Sequence, residues 1–239
     1  MPRLCINLDH VATLREARRH ADPDLISAAV LARMAGADAL SVHLRGDRRH
    51  VQEADVERLR DNGGLPLRLR LANSSEVVHH ATTFKPDLVT ILPERRDEVT
   101  TESGVDVLLD QHSLQRAVRS LHEAGLRVGL FIEPDLEQVR AVAKSEADVV
   151  EVNAFHYGMA RGDEPREQEL ERLSAAVKAG VKMGLEVHVG HGIGYAAAEG
   201  LGTLAGLKEV QVGHAVVARA LLTGFQEAVA EMRRRLAGR

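Results

Sequence analysis

The chain has 239 residues, enough for one large domain, and barrels of alternating strand and helix run to about 250 residues as a single unit. Lys and Arg number 31 against 35 Asp and Glu, a net charge of −4. That balance argues against a nucleic-acid or membrane protein, because neither attractive field is present globally, while a local cationic pocket stays compatible with it. The single cysteine, Cys5, has no partner for an internal disulfide and reads as a small core residue, consistent with a reducing cytoplasm. The first apolar run, Leu4–Leu8, is broken by Asn7 and followed by Asp9, too short for a signal-peptide core. No apolar run reaches the ~20 residues of a membrane span, so a cytoplasmic location is expected.

Short β-rich runs alternate with longer helical stretches. The expected strands are Leu4–Leu8, Ala39–Leu44, Leu67–Leu71, Leu88–Leu92, Val128–Ile132, Val149–Asn153, Glu186–Val189 and Val210–Val212. Between them lie helical patterns such as Pro23–Met34, Ala54–Arg60, Ser113–Glu123, Leu136–Ala143, Glu167–Met183 and Ala215–Leu222. Several end at a glycine suited to the left-handed closing position, Gly36, Gly125 and Gly184 among them. Eight such units in one chain predict a single closed α/β domain over 1–239, a (β/α)8 TIM barrel. An open doubly wound sheet is the alternative, but the turn after strand one reads Asp9-His10-Val11-Ala12-Thr13, without the GxGxxG that sheet usually carries. The longest irregular stretch is Pro93–Asp106, after strand four, where a long loop suggests function.

Barrel chemistry sits where strands end and βα loops begin. Polar residues collect there: Asn7, Asp9 and His10; His43, Arg45, Arg48, Arg49 and His50; Arg68 and Arg70; Glu94; Glu151 and Asn153; His188 and His191; Gly213 and His214. The N-terminal strand ends show nothing comparable. Alternation puts Asn7 with Asp9, His43 with Arg45, and Glu151 with Asn153 on inward faces. His43, His50 and His191 are candidates for general acid or base. Zinc is disfavoured, because residues three apart in a strand, as His188 and His191 are, point to opposite faces. Gly213-His214, directly before a helix, and Gly190-His191-Gly192 suit the backbone approach of a phosphate, an ordinary tight turn being the competing reading for the latter. Arg18, Arg45, Arg48 and Arg49 form a second cationic set. The closing Arg233-Arg234-Arg235 reads as a solvated helix end.

The same residues carry a resemblance to the pyridoxine 5'-phosphate synthase family. It rests on Asn7-Leu-Asp-His-Val-Ala-Thr-Leu-Arg15, Ala35-Gly-Ala-Asp38, Val42-His-Leu-Arg-Gly-Asp-Arg-Arg-His50, Leu92-Pro-Glu-Arg95, Glu98-Val-Thr-Thr-Glu102, Gly190-His-Gly192, Val212-Gly-His-Ala215 and Ala220–Glu231, in order along the whole chain. The resemblance implies a condensation of 3-amino-2-oxopropyl phosphate with 1-deoxy-D-xylulose 5-phosphate, giving pyridoxine 5'-phosphate, inorganic phosphate and water, without cofactor or metal, in a ring-like homo-octamer. It implies that Asn7, Arg18, Gly192, Gly213 and His214 hold the aminoketone phosphate, and that Asp9, His10, Arg45, His50 and Thr100 hold the deoxyxylulose phosphate. It makes His43 an acid/base, His191 a proton donor and Glu151 a stabiliser of charged intermediates.

The chain departs from the family pattern at strand three. There the family's catalytic glutamate is Arg70, in Leu67-Arg-Leu-Arg-Leu-Ala72, and a fixed cation is no carboxylate base. Asn153-Ala154-Phe155 replaces a His-Thr-Gly segment, and His188 and Gln211 each replace an asparagine, all expected at the barrel mouth. Two other readings follow: a paralogue acting on a different phosphorylated ketone, and a non-catalytic ligand-binding paralogue. Arg70 and Arg68 share the inward face. Arg70 there needs an anion, either Glu151, the favoured partner, or a substrate phosphate.

Overall fold

The structure is a computed structural model that describes residues 1–94 and 103–238. In chain order its elements are β1 (Arg3–Asn7), α1 (Asp9–Glu16), α2 (Leu25–Met34), β2 (Ala39–His43), α3 (Glu53–Asn62), β3 (Leu67–Ala72), α4 (Val77–Phe84) and β4 (Leu88–Leu92). Then come α5 (Gln111–Glu123), β5 (Val128–Ile132), α6 (Leu136–Lys144), β6 (Val149–Asn153), α7 (Phe155–Met159), α8 (Asp163–Lys182) and β7 (Glu186–Gly190). The last are α9 (Tyr195–Gly202), β8 (Leu207–Val212), α10 (His214–Thr223) and α11 (Phe225–Leu236). Every strand pairs in parallel with the next, and β8 pairs with β1, so the sheet closes into the expected eight-stranded (β/α)8 barrel.

Alternation along the strands builds two separate interiors. The residues that face the helices are apolar, as in Leu4, Ile6, Leu40, Val42, Leu67, Leu69, Val150 and Val152, and they join one continuous core with the helices. The residues that face the barrel axis include Ser41, His43, Arg68, Arg70, Glu151, His188, Glu209 and Gln211, all buried. Helix starts are fixed by side chains. Asp24 accepts from the Ser27 backbone N–H at 2.9 Å, Asp135 accepts from those of Glu137 and Gln138, and Gln52 with Asp55 forms a capping box on α3.

Among the described residues, three βα connections carry a helix beyond the basic unit. Of these, α1 and α7 sit in the loops after β1 and β6, and α11 follows α10. Helix α1 is anchored by Arg15, whose guanidinium forks onto the Asp55 carboxylate at 2.6 and 2.7 Å. Strand β1 ends at Asn7 and α1 starts at Asp9, so the strand alternation that paired Asn7 with Asp9 stops before Leu8.

Charge also fills the N-terminal end of the barrel, contrary to the expectation that those ends are bland. Arg68 forks onto Glu209, with Nε to Oε1 at 3.1 Å and Nη2 to Oε2 at 2.9 Å. His188 lies 2.9 Å from Glu186 and 3.5 Å from Glu209, while Arg3 and Arg127 pair with Glu186 at the strand entrances. Arg68 and His188 thus belong to this lower layer and not to the mouth. The sequence reading starts β8 at Val210, which leaves Glu209, the anion that needs those cations, outside the strand.

Candidate active site

The C-terminal ends of the strands open onto a cavity of about 520 Å³. From β1 and α1 come Asn7, Asp9 and His10; from β2 and its loop come His43, Arg45 and His50. Arg70 stands on β3, His191 and Gly192 follow β7, and Gly213 and His214 follow β8. Eleven of the expected site residues therefore share one space. Its titratable lining holds two arginines and five histidines against one carboxylate, Asp9, a setting suited to anionic ligands.

Asp9 organises the first wall. Its Oδ2 accepts from Asn7 Nδ2 at 2.8 Å, its Oδ1 accepts from the His43 backbone N–H at 2.7 Å, and its own N–H donates to Asn7 Oδ1 at 3.1 Å. His43 lies in the floor, 5% exposed. Its Nε2 is 3.7 Å from Glu94 Oε2. Burial pushes the His43 pKa below the ordinary imidazole value and outweighs the pull of Glu94 and Asp9. The same contact, with His43 first and then the Gly46 N–H, holds Glu94 below the usual carboxylate range. Glu94 is thus a site residue that the sequence reading noted only as one of several polar groups. His50 Nδ1 accepts from the Val51 backbone N–H at 2.8 Å. His10 packs edge-on to His214, centroids 5.1 Å apart, and burial lowers its pKa against the opposing charge of Asp9.

The β7 turn places His191. Its φ is +73° and that of Gly192 is +71°, so two successive residues take the left-handed conformation. The strand alternation that separates His188 from His191 does not extend to this turn. The His191 ring lies against Phe155, centroids 5.5 Å apart, and edge-on to Phe131 at 6.3 Å. Burial, then the neighbouring Arg70 charge, then His10, push its pKa down to about 4. A side chain on Gly192 would meet the Phe155 backbone at 2.8 Å.

Helix α10 starts at His214 on Gly213, with no side-chain cap, so its first N–H groups point toward the cavity mouth. A Cβ on Gly213 would lie 2.8 Å from Asn7 Oδ1, so bulk there would press on Asn7.

Arg70 points inward, as alternation requires, 6% exposed. Its Nη2 lies 3.2 Å from Glu151 Oε1, and its guanidinium stacks 5.0 Å from the Phe131 ring centre. Glu151 is inward too, but it sits beneath the lining, bonded by Gln211 Nε2 at 3.3 Å and covered by Gly190. The carboxylate expected at the mouth is thus screened from the cavity by Arg70.

Three expectations fall elsewhere. Arg18 is exposed in the turn after α1 and does not line the cavity. Arg48 and Arg49 lie outside the lining and pair with Glu53 at 2.7 Å and Asp47 at 2.6 Å, because each has a carboxylate a few residues away. Thr100 lies outside the described residues. Among the described residues no group of three or more His, Cys, Asp or Glu is arranged to hold a metal ion.

The sequence model of the family described as "Pyridoxal phosphate biosynthesis protein PdxJ" matches residues 4–238. The chain belongs to this family. Curated members include the pyridoxine 5'-phosphate synthase of Syntrophobacter fumaroxidans, 44% identical over 97% of this chain and 98% of that protein. That of Acaryochloris marina is 43% identical over the full length of both. Among solved structures the barrel resembles KGPDC from Streptococcus mutans, with a TM-score of 0.67 and 13% identity over 100% of this chain and 98% of that one. Phosphoribosyl anthranilate isomerase from Thermus thermophilus gives 0.63 and 16% over 99% and 98%. These two likenesses speak to the fold alone. The blocks that this chain shares with the PdxJ pattern, Asn7–Arg15, Val42–His50, Gly190–Gly192 and Val212–Ala215, are the segments that meet around the cavity.

Proposed function

We propose that this chain is a pyridoxine 5'-phosphate synthase. It condenses 3-amino-2-oxopropyl phosphate with 1-deoxy-D-xylulose 5-phosphate and releases inorganic phosphate and water, in vitamin B6 biosynthesis. The observation that carries the reading is the convergence of the family's sequence blocks on one cationic cavity, in a chain 44% identical to a curated synthase over nearly its whole length.

On this reading Asn7, Gly192, Gly213 and His214 hold the aminoketone phosphate, with the α10 N-terminus facing its charge. Asp9, His10, Arg45 and His50, together with Thr100, hold the deoxyxylulose phosphate. Imine formation, dehydration and ring closure each move protons. His43, kept neutral by burial, takes one up, His191 hands one on, and Glu151 bears on charged intermediates through Arg70. The family resemblance adds Arg18, exposed in the turn after α1, to the aminoketone set. No metal or organic cofactor is invoked, so activity should survive full chelation. The cytoplasm, where phosphorylated sugars are held, and the family's homo-octamer complete the proposal; no described helix is long and apolar enough to cross a membrane.

A second reading, action on a different phosphorylated ketone, is favoured by one observation: Arg70 stands where the family resemblance places a catalytic glutamate. Incubating the purified protein with the two substrates separates the readings. Formation of pyridoxine 5'-phosphate in step with phosphate release is expected. Intact substrates after prolonged incubation would leave the second reading in its place.

A further inference from the structure

His43 and His191 both line the cavity, but the charges around their rings differ. Those that bear on His191 are Arg70 and His10, and both oppose its protonation. His43 is faced by Asp9 from α1, His50 from the β2 loop, Arg70 from β3 and Glu94 from beyond the end of β4. Asp9 has both oxygens committed, one to the His43 backbone N–H and one to Asn7. Glu94 is the carboxylate paired with the ring among the described residues, its Oε2 3.7 Å from Nε2. That nitrogen is sealed from solvent and has no hydrogen-bond partner among the described residues. The nitrogen that His43 can offer to the cavity is therefore Nδ1.

Glu94 is itself held in place. Both its oxygens accept from the Gly46 backbone N–H, at 3.0 and 3.2 Å, and Oε1 lies 3.8 Å from Arg45 Nη2. The Arg49 charge also bears on it. A Cβ on Gly46 would come within 3.4 Å of Oε1, so the loop after β2 closes tightly on the carboxylate. Glu94 thus reaches past β3, from the end of β4 to the loop after β2. The β3 residue in register with His43 is Arg70, a cation that opposes a charge on the ring. The anion for His43 is supplied from one strand further on.

A buried base that turns cationic as it works needs an anion nearby, since a lone buried imidazolium is costly. A carboxylate can only accept, so a ring nitrogen that faces it keeps the proton and the other nitrogen keeps the lone pair. Contacts of this kind tighten as charge develops. We infer that Glu94 is a positioning residue for His43: it holds a proton on Nε2, leaves the Nδ1 lone pair toward the cavity, and balances the imidazolium formed when Nδ1 takes up a proton. In that step a substrate bond to hydrogen breaks, its electron pair stays on the substrate, and the proton moves to Nδ1, from which a later step returns it. Which substrate gives the proton rests on the synthase reading above; the coupling of Glu94 to His43 does not.

The test joins a tautomer measurement to kinetics on the full chain. At pH 7, nitrogen-15 shifts should show wild-type His43 as the neutral Nε2–H ring, its resonances assigned by their loss in His43→Gln. Glu94→Gln can keep its oxygen on Gly46 and then turns an amide N–H toward Nε2, so that preference should be lost. With the two substrates, Glu94→Gln should lower kcat at least about tenfold, with both KM values within about twofold of the wild type. The acidic limb of its kcat–pH profile should move to lower pH, because a ring without its anion holds a proton less well. Glu94→Asp keeps the charge and should leave the limb in place and recover part of kcat. A wild-type ring protonated on Nδ1 overturns the inference, and that measurement needs no variant to fold. So does Glu94→Gln with a changed KM or melting temperature and an unmoved pH profile, the outcome if Glu94 only clamps the Gly46 loop. A protein that forms no pyridoxine 5'-phosphate but shows the Glu94-dependent tautomer loses the functional reading and keeps this one.

Discussion

His191 is uncharged at neutral pH, since burial, Arg70 and His10 hold its pKa at about 4. To give up a proton as an imidazolium, it first has to gain one, and a phosphate bound in the cavity would offset the Arg70 charge that opposes this. Nuclear magnetic resonance titration should therefore find the His191 pKa raised when phosphate is bound; an unmoved value would detach the histidine from the arginine. The same depression has a consequence for stability. The unfolded chain binds this proton near pH 6.5 and the folded chain near 4, so stability is full above about 6.5 and is lost as pH falls between the two. His191→Gln should flatten the fall in urea midpoint between pH 7 and pH 5, and equal falls in both proteins would count against the assignment. His43 carries a different prediction. It is buried, neutral and tied at its backbone to Asp9. His43→Gln should lower kcat by at least about a hundredfold, the low end for a positioned acid–base group, with KM changed much less. Near-normal turnover would remove it from the chemistry.

At the scale of elements, α1 shows what the sequence conceals. The eight strands were legible because apolar residues alternate with polar ones and helices separate them. The inward placement of Asn7, His43, Arg70 and Glu151 followed from that alternation. Helix α1 was not legible, because Asp9–Arg15 reads as a motif and the anchor of the helix, Asp55, lies 40 residues further on. The left-handed turn at His191 and the lower-layer partners of Arg68 escaped for the same reason: they depend on contacts between strands distant in sequence. Arg18, carried over from the family pattern, sits in the turn past the end of α1 and outside the cavity lining, where strand alternation says nothing of its direction. The Arg15–Asp55 pair is buried on both sides, and Asp55 also accepts from the Gln52 backbone N–H at 2.9 Å. Arg15→Met should therefore destabilise the protein by roughly 3–5 kcal/mol, the usual cost of stranding a buried carboxylate. It should also loosen the Asn7–His10 wall of the cavity. An unchanged denaturation midpoint would show that α1 docks without it.

For the whole molecule, the barrel axis carries two charged layers with opposite tasks. The upper layer lines the cavity with Arg70, the β8–α10 turn and the histidines. The lower layer is closed upon itself, with Arg68 on Glu209, His188 between Glu209 and Glu186, and Arg3 and Arg127 at the entrance. Burial tends to raise the Glu209 pKa, but His188, Arg68 and Arg3 together hold it below its ordinary value. With the folded value depressed, its contribution to stability is present above about 4.3, the unfolded value, and is lost as pH falls below it. Glu209→Gln removes that charge and leaves Arg68 buried without a counter-ion, at a cost of about 3–5 kcal/mol. The variant should show a lower urea midpoint at pH 7 and a shallower loss of stability between pH 5 and pH 3. Turnover should stay near that of the wild type below the unfolding transition, because no atom of this layer lines the cavity. A fall in turnover with an unchanged midpoint would mean that the lower layer takes part in the chemistry and that the barrel works along its whole axis.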